Sequence, residues 1–470
     1  ESGDVEGVHV DNRWVGSGWT IFNNKGKPVR QYEPFFDDTH EFKFGKQVGV
    51  SSVLFYDPLE RVVVTLHPNN TFEKIIFNPW QQKVYDVNDT INLDPRNDPD
   101  VLKYVAKYFT TQTNWQIWYV LRKDGTYGSN PKQRMAEKDT ATKAYDHKDT
   151  PTVTHFDTLG RTFLTIADNA SDGKYSTRIE LDIEGNQCAV IDAKGRTVMK
   201  YDYNMLSNLI SQDSMDAGKR WMLNNVVGKP IYVWDSRKHI IKTKYDELQR
   251  PTEIYLQEDT ATPKTIVKTV YGETQGNNLN HRGRIYQHYD GAGVVTNKKY
   301  DFKGNLLEHS REIAEDYKSI LDWKISPSLK TEVYTQKVQY DALNRPTKIV
   351  LPDKNDSEIY LTYNKAGFLE TISGKIPNQT APYSFIKNID YNEKGQRELI
   401  IFGNDSETTY RYDENTFRLE RLETTSGSKY LQKLFYTYDP VGNITHIKNT
   451  PDLISLKPIF NQGTWVEPTT

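Results

Sequence analysis

A chain of 470 residues has room for roughly two to four domains or one large β array, but 36% hydrophobic residues and a mean hydropathy of −0.74 are too polar for one thick core. A net charge of −3, from 60 basic and 63 acidic side chains spread along the chain, leaves no basic block for nucleic acid or a membrane surface. The single Cys188 excludes an internal disulfide framework and reads as packed rather than reactive, and no run of about 18 apolar residues exists to span a membrane.

Residues 1–85 read as strands, because 30 Tyr and a total of 12% aromatics favour pleated surfaces over helices. Residues 13–21 (RWVGSGWTI) alternate, and FYDPLERVVVTL carries an aromatic, Tyr56, then Asp57, then Arg61 before a second apolar run. Residues 86–150 break this rhythm. Asp98-Pro99 has the form of a helix start, and Val101, Leu102, Val105 and Phe109 follow at helical spacing. Asn130-Pro131 starts a second, polar helix through about Ala144. Trp115, Trp118 and Tyr119 form the densest aromatic cluster here, expected to pack this mostly helical insertion on a sheet, the alternative being a contact surface for another segment or chain.

From residue 151 to 450 the aromatic–acid device repeats. It appears as Phe156, Asp157, Gly160 and Arg161, then as Tyr245, Asp246 and Arg250, then as Tyr340, Asp341 and Arg345. Shorter versions are Tyr289-Asp290, Tyr300-Asp301 with Gly304, Tyr412-Asp413, and Tyr438-Asp439 with Gly442; Asp192 with Gly195 and Asp235 mark two more turns. Asp182, Asp192 and Asp202 fall ten apart, which allows a strand of about six residues and a turn of about four. Asn225, Asn364 and Asn392 occupy the acid's place in others. Each position has a physical reason: the ring covers a half-buried pleat, the carboxylate bonds backbone N–H groups two residues on, and Gly160 or Asn344 tolerates the positive φ of a tight loop. Glu60 and Gln249 stand at that same place, so this part of the pattern is expected to be loose. Residues 310–323 (SREIAEDYKSILDW) read as a helix interrupting the series, and 451–470 as a truncated continuation of it.

These repeats resemble the Rhs/YD family, and the match extends to RWVGSGWTIFNNKGKPVRQYEPFF, ELDIEGNQCAVIDAKGRTVMKYDYNMLSN and NIDYNEKGQRELIIFGN. Such strings look like the later B component and early Rhs part of the C component of bacterial toxin complexes. The resemblance implies a mainly β fold, a hairpin sheet curled into part of a hollow, cocoon-like shell with a short helical insertion. It implies an enclosed cytotoxic C-terminal polypeptide, a pore-forming A-type partner reached through a propeller, and secretion from a bacterium. No propeller repeat, toxin segment or Rhs protease signature stands in these 470 residues, so the chain reads as the middle of a longer protein. Glu1 without a preceding Met agrees with that expectation.

No catalytic, cofactor or metal site is expected. Asp439-Pro440-Val441-Gly442-Asn443 superficially resembles the protease motif, but strand alternation resumes at Ile444, as in the other turns. His281 and His288 are seven apart, which on one strand puts them on opposite faces; a hairpin would bring them together, but no Cys or Glu stands by to complete a metal site, and His67 reads as a turn residue. The rival reading is an extracellular carbohydrate-binding or adhesion module with aromatics projecting outward. A shell would instead bury them in ladders at the turns, stacked ring on ring.

Overall fold

The computed structural model describes residues 3–5, 8–375, 377 and 381–450, and the backbone of the paired strands Ile459–Phe460 and Thr464–Trp465. The expected continuation over 451–470 otherwise lies outside the described residues. The chain forms two compact units, one of Glu1–Thr177, Tyr363–Thr371 and Ile386–Thr470, the other of Arg178–Thr362 and Ile372–Phe385. The protein is mainly β, with antiparallel strands most of which pair with the next along the chain; Pro28–Gln31 pairs instead with Val53–Tyr56, and Trp14–Gly16 with Phe35–Asp37.

In the first unit, the strands Val53–Tyr56, Val62–Leu66, Phe72–Asn78 and Gln81–Tyr85 follow one another antiparallel and continue through Thr152–Phe156 and Thr162–Asp168. Between Gln81–Tyr85 and Thr152–Phe156 lie three helices, α1 (Leu102–Phe109), α2 (Trp118–Lys123) and α3 (Pro131–Tyr145). The β-branched run Val62-Val63-Val64 pleats readily, and the helices cover the face it turns inward. Val53, Val64, Leu66 and Phe72 pack with Val101 and Val105 of the insertion, and Phe109 and Trp115 close over them. Trp118 is buried with Ile91, Ala141 and Ala144, and Tyr119 stacks on Tyr145. These aromatics therefore pack the insertion, as their clustering predicts.

Asn130 caps α3 by accepting the Gln133 N–H at 3.0 Å, with Pro131 in the first turn. The first helix corrects the sequence reading. The helix begins at Leu102 rather than at Pro99, but Asp98 does open the turn before it: its Oδ1 accepts the Asp100 N–H at 2.9 Å and its carbonyl the Leu102 N–H at 2.9 Å, while the buried Lys74 ammonium holds its other oxygen at 2.8 Å. Lys74 also meets Asp100 at 2.7 Å, so a strand cation anchors the entry to the insertion. Leu102 faces outward, whereas Val101 and Val105 are buried.

In the second unit every strand from Gln187–Ile191 to Glu358–Tyr363 pairs antiparallel with its successor. Its one cluster of buried apolar residues among the described residues is Val294, Ala314, Leu321 and Trp323. The helix expected over 310–323 is absent. Residues up to Ala314 belong to strand Leu306–Ala314, held between Gly293–Tyr300 and Leu329–Tyr340, and a loop follows. Ile313, Tyr317, Ile320 and Leu321 mimic helical spacing, but the Asp316 carboxylate takes the Lys318 and Ser319 N–H groups and turns the chain, while Asp322 takes the N–H of Thr265 on a neighbouring strand at 2.9 Å. Asp202 is also corrected: it lies within strand Thr197–Tyr203, and Asn204 opens the turn. No helix among the described residues is long and apolar enough to cross a membrane.

Candidate functional site: a ladder of corners

The recurrent corner is best seen at Asp246. Its Oδ1 accepts the Arg250 N–H at 2.8 Å and its Oδ2 accepts Arg250 Nε at 2.7 Å, while its own N–H donates to the Arg250 carbonyl at 3.0 Å. One carboxylate thus satisfies turn amides that would otherwise be unpaired, and also fixes the guanidinium that closes the loop. Asp57 with Arg61, Asp157 with Arg161, Asp192 with Arg196 and Asp341 with Arg345 repeat this geometry. At Asp182, Asp301 and Asp439 an asparagine replaces the arginine, with Asn186, Asn305 and Asn443 each donating Nδ2 at 2.8 Å. Asp235 uses His239, whose Nδ1 lies 3.1 Å away.

The residue before the closing one has positive φ in every case named: 76° at Gly160, 75° at Gly195, 102° at Gly304 and 120° at Gly442. Asn344 stands at 64°, but so do Glu60 at 64° and Gln249 at 59°. The looseness expected at Glu60 and Gln249 is thus a looseness of sequence only. The Asp–Arg clamp offsets the cost of a left-handed conformation at a non-glycine residue. Register shifts by one residue at the aromatic, between Lys244 and Tyr245 and between Gln339 and Tyr340, so these corners are bulged hairpins, whereas the strands at the Asp235 corner keep register through Trp234 and Ile240.

The aromatic ties one corner to the previous one. Tyr245 Oη donates to the Pro230 carbonyl at 2.8 Å, Tyr300 to Ile285 at 2.7 Å, Tyr412 to Arg397 at 2.9 Å and Tyr438 to Leu419 at 2.8 Å. Tyr56 reaches the Pro28 carbonyl at 2.7 Å and Tyr340 that of Leu306 at 3.4 Å. Each of these acceptors begins the strand that leaves the preceding corner or loop. The expected ring-on-ring stacking is met where Tyr391 lies on Phe368 of the preceding corner, with ring centres 4.8 Å apart, but not at the corners above: these are two strands, about 10 Å, apart, and a hydroxyl bridges them. Phe156 has no hydroxyl for such a tie. Cations add to the ladder, with the Arg250 guanidinium 3.9 Å above the Tyr271 ring.

Turns alternate between the two ends of the strands, and in the second unit the corners at Asp182, Asp246, Asp301 and Asp341 share one end. There they bond to their neighbours. Ser207 Oγ donates to Glu184 at 3.0 Å, Asn225 Nδ2 to Gln249 at 2.8 Å and Asn305 Nδ2 to Asn344 at 2.9 Å. Asp192, Asp235 and Asp290 close the opposite end. Asp290 departs from the pattern: it pairs with Arg311 across the sheet at 2.9 Å, and Tyr289 lies edge-on to Trp323 with ring centres 5.0 Å apart.

The electrostatics follow. Burial alone would raise the Asp246 carboxyl, but the Arg250 amide and guanidinium hold it below the ordinary carboxylate value. At Asp157 and Asp341 the amide of the closing arginine is the first cause of the same lowering. Burial pushes the Tyr300, Tyr412 and Tyr438 hydroxyls up.

In the first unit Asp439 joins the corner to the insertion. It is buried and accepts from the Gly442 N–H at 2.7 Å, the Asn443 N–H at 2.8 Å and Asn88 Nδ2 at 3.1 Å. Burial raises its pKa, yet these donors outweigh that and keep it ionised, the opposite of a protease carboxylate sharing a proton. Asp413 closes a wider turn through the Thr416 N–H at 2.7 Å, with Phe417 at φ 56°. His67 stands where other corners have Asp. Its Nδ1 is 3.1 Å from Ser52 Oγ and its Nε2 2.8 Å from Glu73, beside a cleft of about 430 Å³. Because Val53 pairs with Leu66, Ser52 and His67 are the next cross-strand partners, and this polar row knits neighbouring strands. In the second unit His281 Nε2 lies 2.7 Å from the Asn297 carbonyl and His288 Nδ1 3.1 Å from Thr269 Oγ1, each with its own partner. Among the described residues no three His, Cys, Asp or Glu side chains gather as a metal site.

Comparison with known proteins places this geometry. No family profile matches the chain. Toxin subunit YenC2 of Yersinia entomophaga is 26% identical over 346 residues, which cover 64% of this chain and 35% of that protein. Toxin subunit YenC1 of the same organism is 25% identical over 276 residues, covering 55% and 28%. The chain therefore spans about a third of the length of these curated relatives. Among solved structures, TcdB2-TccC3-Cdc42 shares the fold with a TM-score of 0.77 and 24% identity, over 94% of this chain and 20% of that one. The Photorhabdus luminescens Tc holotoxin pore carrying TccC3-D651A gives the same TM-score, identity and coverage.

Proposed function

We propose that this chain, a B/C-type Rhs protein of the toxin-complex kind, is a wall segment of a secreted shell that encloses a cytotoxic polypeptide before its delivery. The observation that carries the reading is the corner ladder, found in a chain whose fold matches toxin-complex structures over 94% of its length. A sheet built this way needs no thick core. Its stability is a sum over cross-strand pairs and closed turns, which suits a thin barrier with a lumen on one face. The wall is non-catalytic in this reading: its carboxylates close turns and carry no substrate chemistry. Its partners are the enclosed C-terminal polypeptide and, through a propeller of the larger assembly, a pore-forming A-type component. Working boundaries are 1–85 for the first strands, 86–150 for the insertion, 151–450 for the repeat wall and 451–470 for its continuation.

Protease treatment of the whole native parent protein tests this. Enclosure predicts that the polypeptide C-terminal to the wall survives intact until the wall is unfolded, and is then digested. Digestion of that polypeptide at the unprotected rate while the wall stays folded contradicts it. The carbohydrate-binding alternative requires glycan binding that depends on exposed rings such as Trp80 and Trp221.

A further inference from the structure

The first and last helices of the insertion are held down by different chemistry. α1 sets Val101 and Val105 into the apolar cluster of Val53, Val64, Leu66 and Phe72. α3 buries Ala141 and Ala144 against Ile91 and Trp118, all within the insertion itself. It also lies against strands Lys429–Tyr438 and Ile444–Asn449, and among the described residues no buried apolar cluster joins it to them. The contact is polar instead. Thr140 Oγ1 is 2.6 Å from Thr445 Oγ1, and His446 Nε2 is 3.1 Å from Asp139 Oδ2. On its other side, His446 Nδ1 stands 3.4 Å from Thr445 Oγ1 and 3.5 Å from Thr140 Oγ1. A neutral ring has one N–H for these two sides, whereas an imidazolium donates from both nitrogens.

Charge around this joint is unbalanced. Glu137, Asp139, Asp413, Glu414 and Glu420 gather there, from α3, the Asp413 turn and strand Leu419–Ser426. Against them stand Arg122 of α2, bonded to Glu137 at 2.7 Å, and Lys143, bonded to Asp139 at 2.7 Å; Arg421 is shared with Glu423 at 3.3 Å. Acids therefore exceed cations, and a charge on His446 offsets part of the excess. At the first turn of α3, Lys132 stands beside Lys448, and this like-charge pair works against docking. We propose that the joint between α3 and strand Ile444–Asn449 is a proton-operated latch, closed when His446 is charged and released when it is neutral. Histidine is the side chain whose charge ordinarily changes between about pH 5 and 8, and the His446 side chain is 30% exposed, so solvent protons reach it. The neighbouring carboxyls act in the same direction. Burial pushes Glu137 up against the Arg122 charge, and loss of water together with the Asp413 and Glu137 charges pushes Glu420 up. A carboxyl raised in the docked state binds protons on docking, so docking tightens as pH falls. Relief of the Lys132–Lys448 repulsion has the opposite sign and comes only with rising pH.

Hydrogen exchange on the whole native parent protein reads the latch, with α1 as the reference in the same sample because its seat is apolar. The expected result is that protection of α3 relative to α1 falls at least about tenfold between about pH 5.5 and about pH 8.5. His446→Gln keeps a polar side chain without the charge, and should hold α3 at its low alkaline protection across the whole range. Glu420→Gln removes one acid from the excess and should raise protection of α3 at the alkaline end. A merely structural His446 would instead lower protection by the same factor at every pH and leave the slope of the wild type, which contradicts a latch. Relative protection of α3 that stays flat over this range, or that rises with pH as the lysine pair alone would have it, overturns the proposal. So does a Glu420→Gln variant that gains no protection at the alkaline end.

Discussion

The two units solve one problem in different ways. In the first, strands Val62–Leu66 and Phe72–Asn78 lie under α1, and Val64, Leu66, Phe72, Val101 and Val105 are each at most 2% exposed. In the second, strands from Gln187 to Thr362 run on with mostly half-buried faces, and among the described residues the buried apolar side chains that cluster are Val294, Ala314, Leu321 and Trp323. The insertion supplies the first unit with a conventional apolar core. The second relies on capped turns, most of them bulged, and at one end of its strands on tyrosyl bonds to the corner before, such as those of Tyr245, Tyr300 and Tyr340. A sheet can therefore dispense with a core where the backbone at each strand end is fully satisfied.

That contrast can be broken from either side. The largest effect is expected in the core. Phe72→Ala leaves a cavity under α1 and should cost about 3–5 kcal/mol in denaturant unfolding followed by helical circular dichroism. A cost as small as that of a surface change would mean the helices do not stabilise the first unit. Asp439→Ala removes the acceptor for Gly442, Asn443 and Asn88 together and should cost about 2 kcal/mol by the same measurement. In the second unit Tyr300→Phe deletes the hydroxyl that donates to the Ile285 carbonyl and accepts from Asn297 Nδ2, and should cost about 1 kcal/mol.

Acid sharpens the comparison through opposite signs. Corner carboxylates such as Asp246 titrate below their ordinary 3.8 in the folded state, so their stabilisation is complete above that value and is lost as pH falls through the folded pKa. Asp89 and Glu137 of the insertion are raised by burial, against the hydrogen bonds and the Arg122 charge that lower them. Their contribution is present below the ordinary carboxylate value and is lost as pH rises through the folded one. Hydrogen exchange on acidification to about pH 3 should therefore open the corners of the second unit before the insertion. Opening in the reverse order would contradict the assignment. The smallest effect is expected at a tip: Leu248→Ser should leave stability within about 0.5 kcal/mol.

The corners were legible in the sequence because their chemistry is local. Asp246 and Arg250 are four residues apart and bond to each other, so the string carries its own geometry. What the string concealed depends on partners distant in sequence. Gln249 takes a glycine's conformation because the clamp around it holds, and Tyr245 bonds Pro230, fifteen residues away. Residues 310–323 have helical spacing, yet pairing on both sides of Leu306–Ala314 overrides it. Asp98 keeps its bond to the Asp100 N–H, but Lys74, from a strand 24 residues earlier, adds a partner that the local string does not show. His67 shows the limit most clearly: it occupies an Asp position, and only the register of Val53 against Leu66 sets Ser52 beside it.

The central claim is that the tyrosyl bonds link successive hairpins of the second unit into one cooperative ladder. Native-state hydrogen exchange on a variant with Tyr245, Tyr271 and Tyr300 all changed to Phe tests it most directly. Protection should fall together across the hairpins from residue 230 to 306 while Val53–Tyr56 and α1 stay unchanged. Loss confined to each altered strand, or no loss at all, would show that the hairpins stand independently and that the ladder does not hold the sheet.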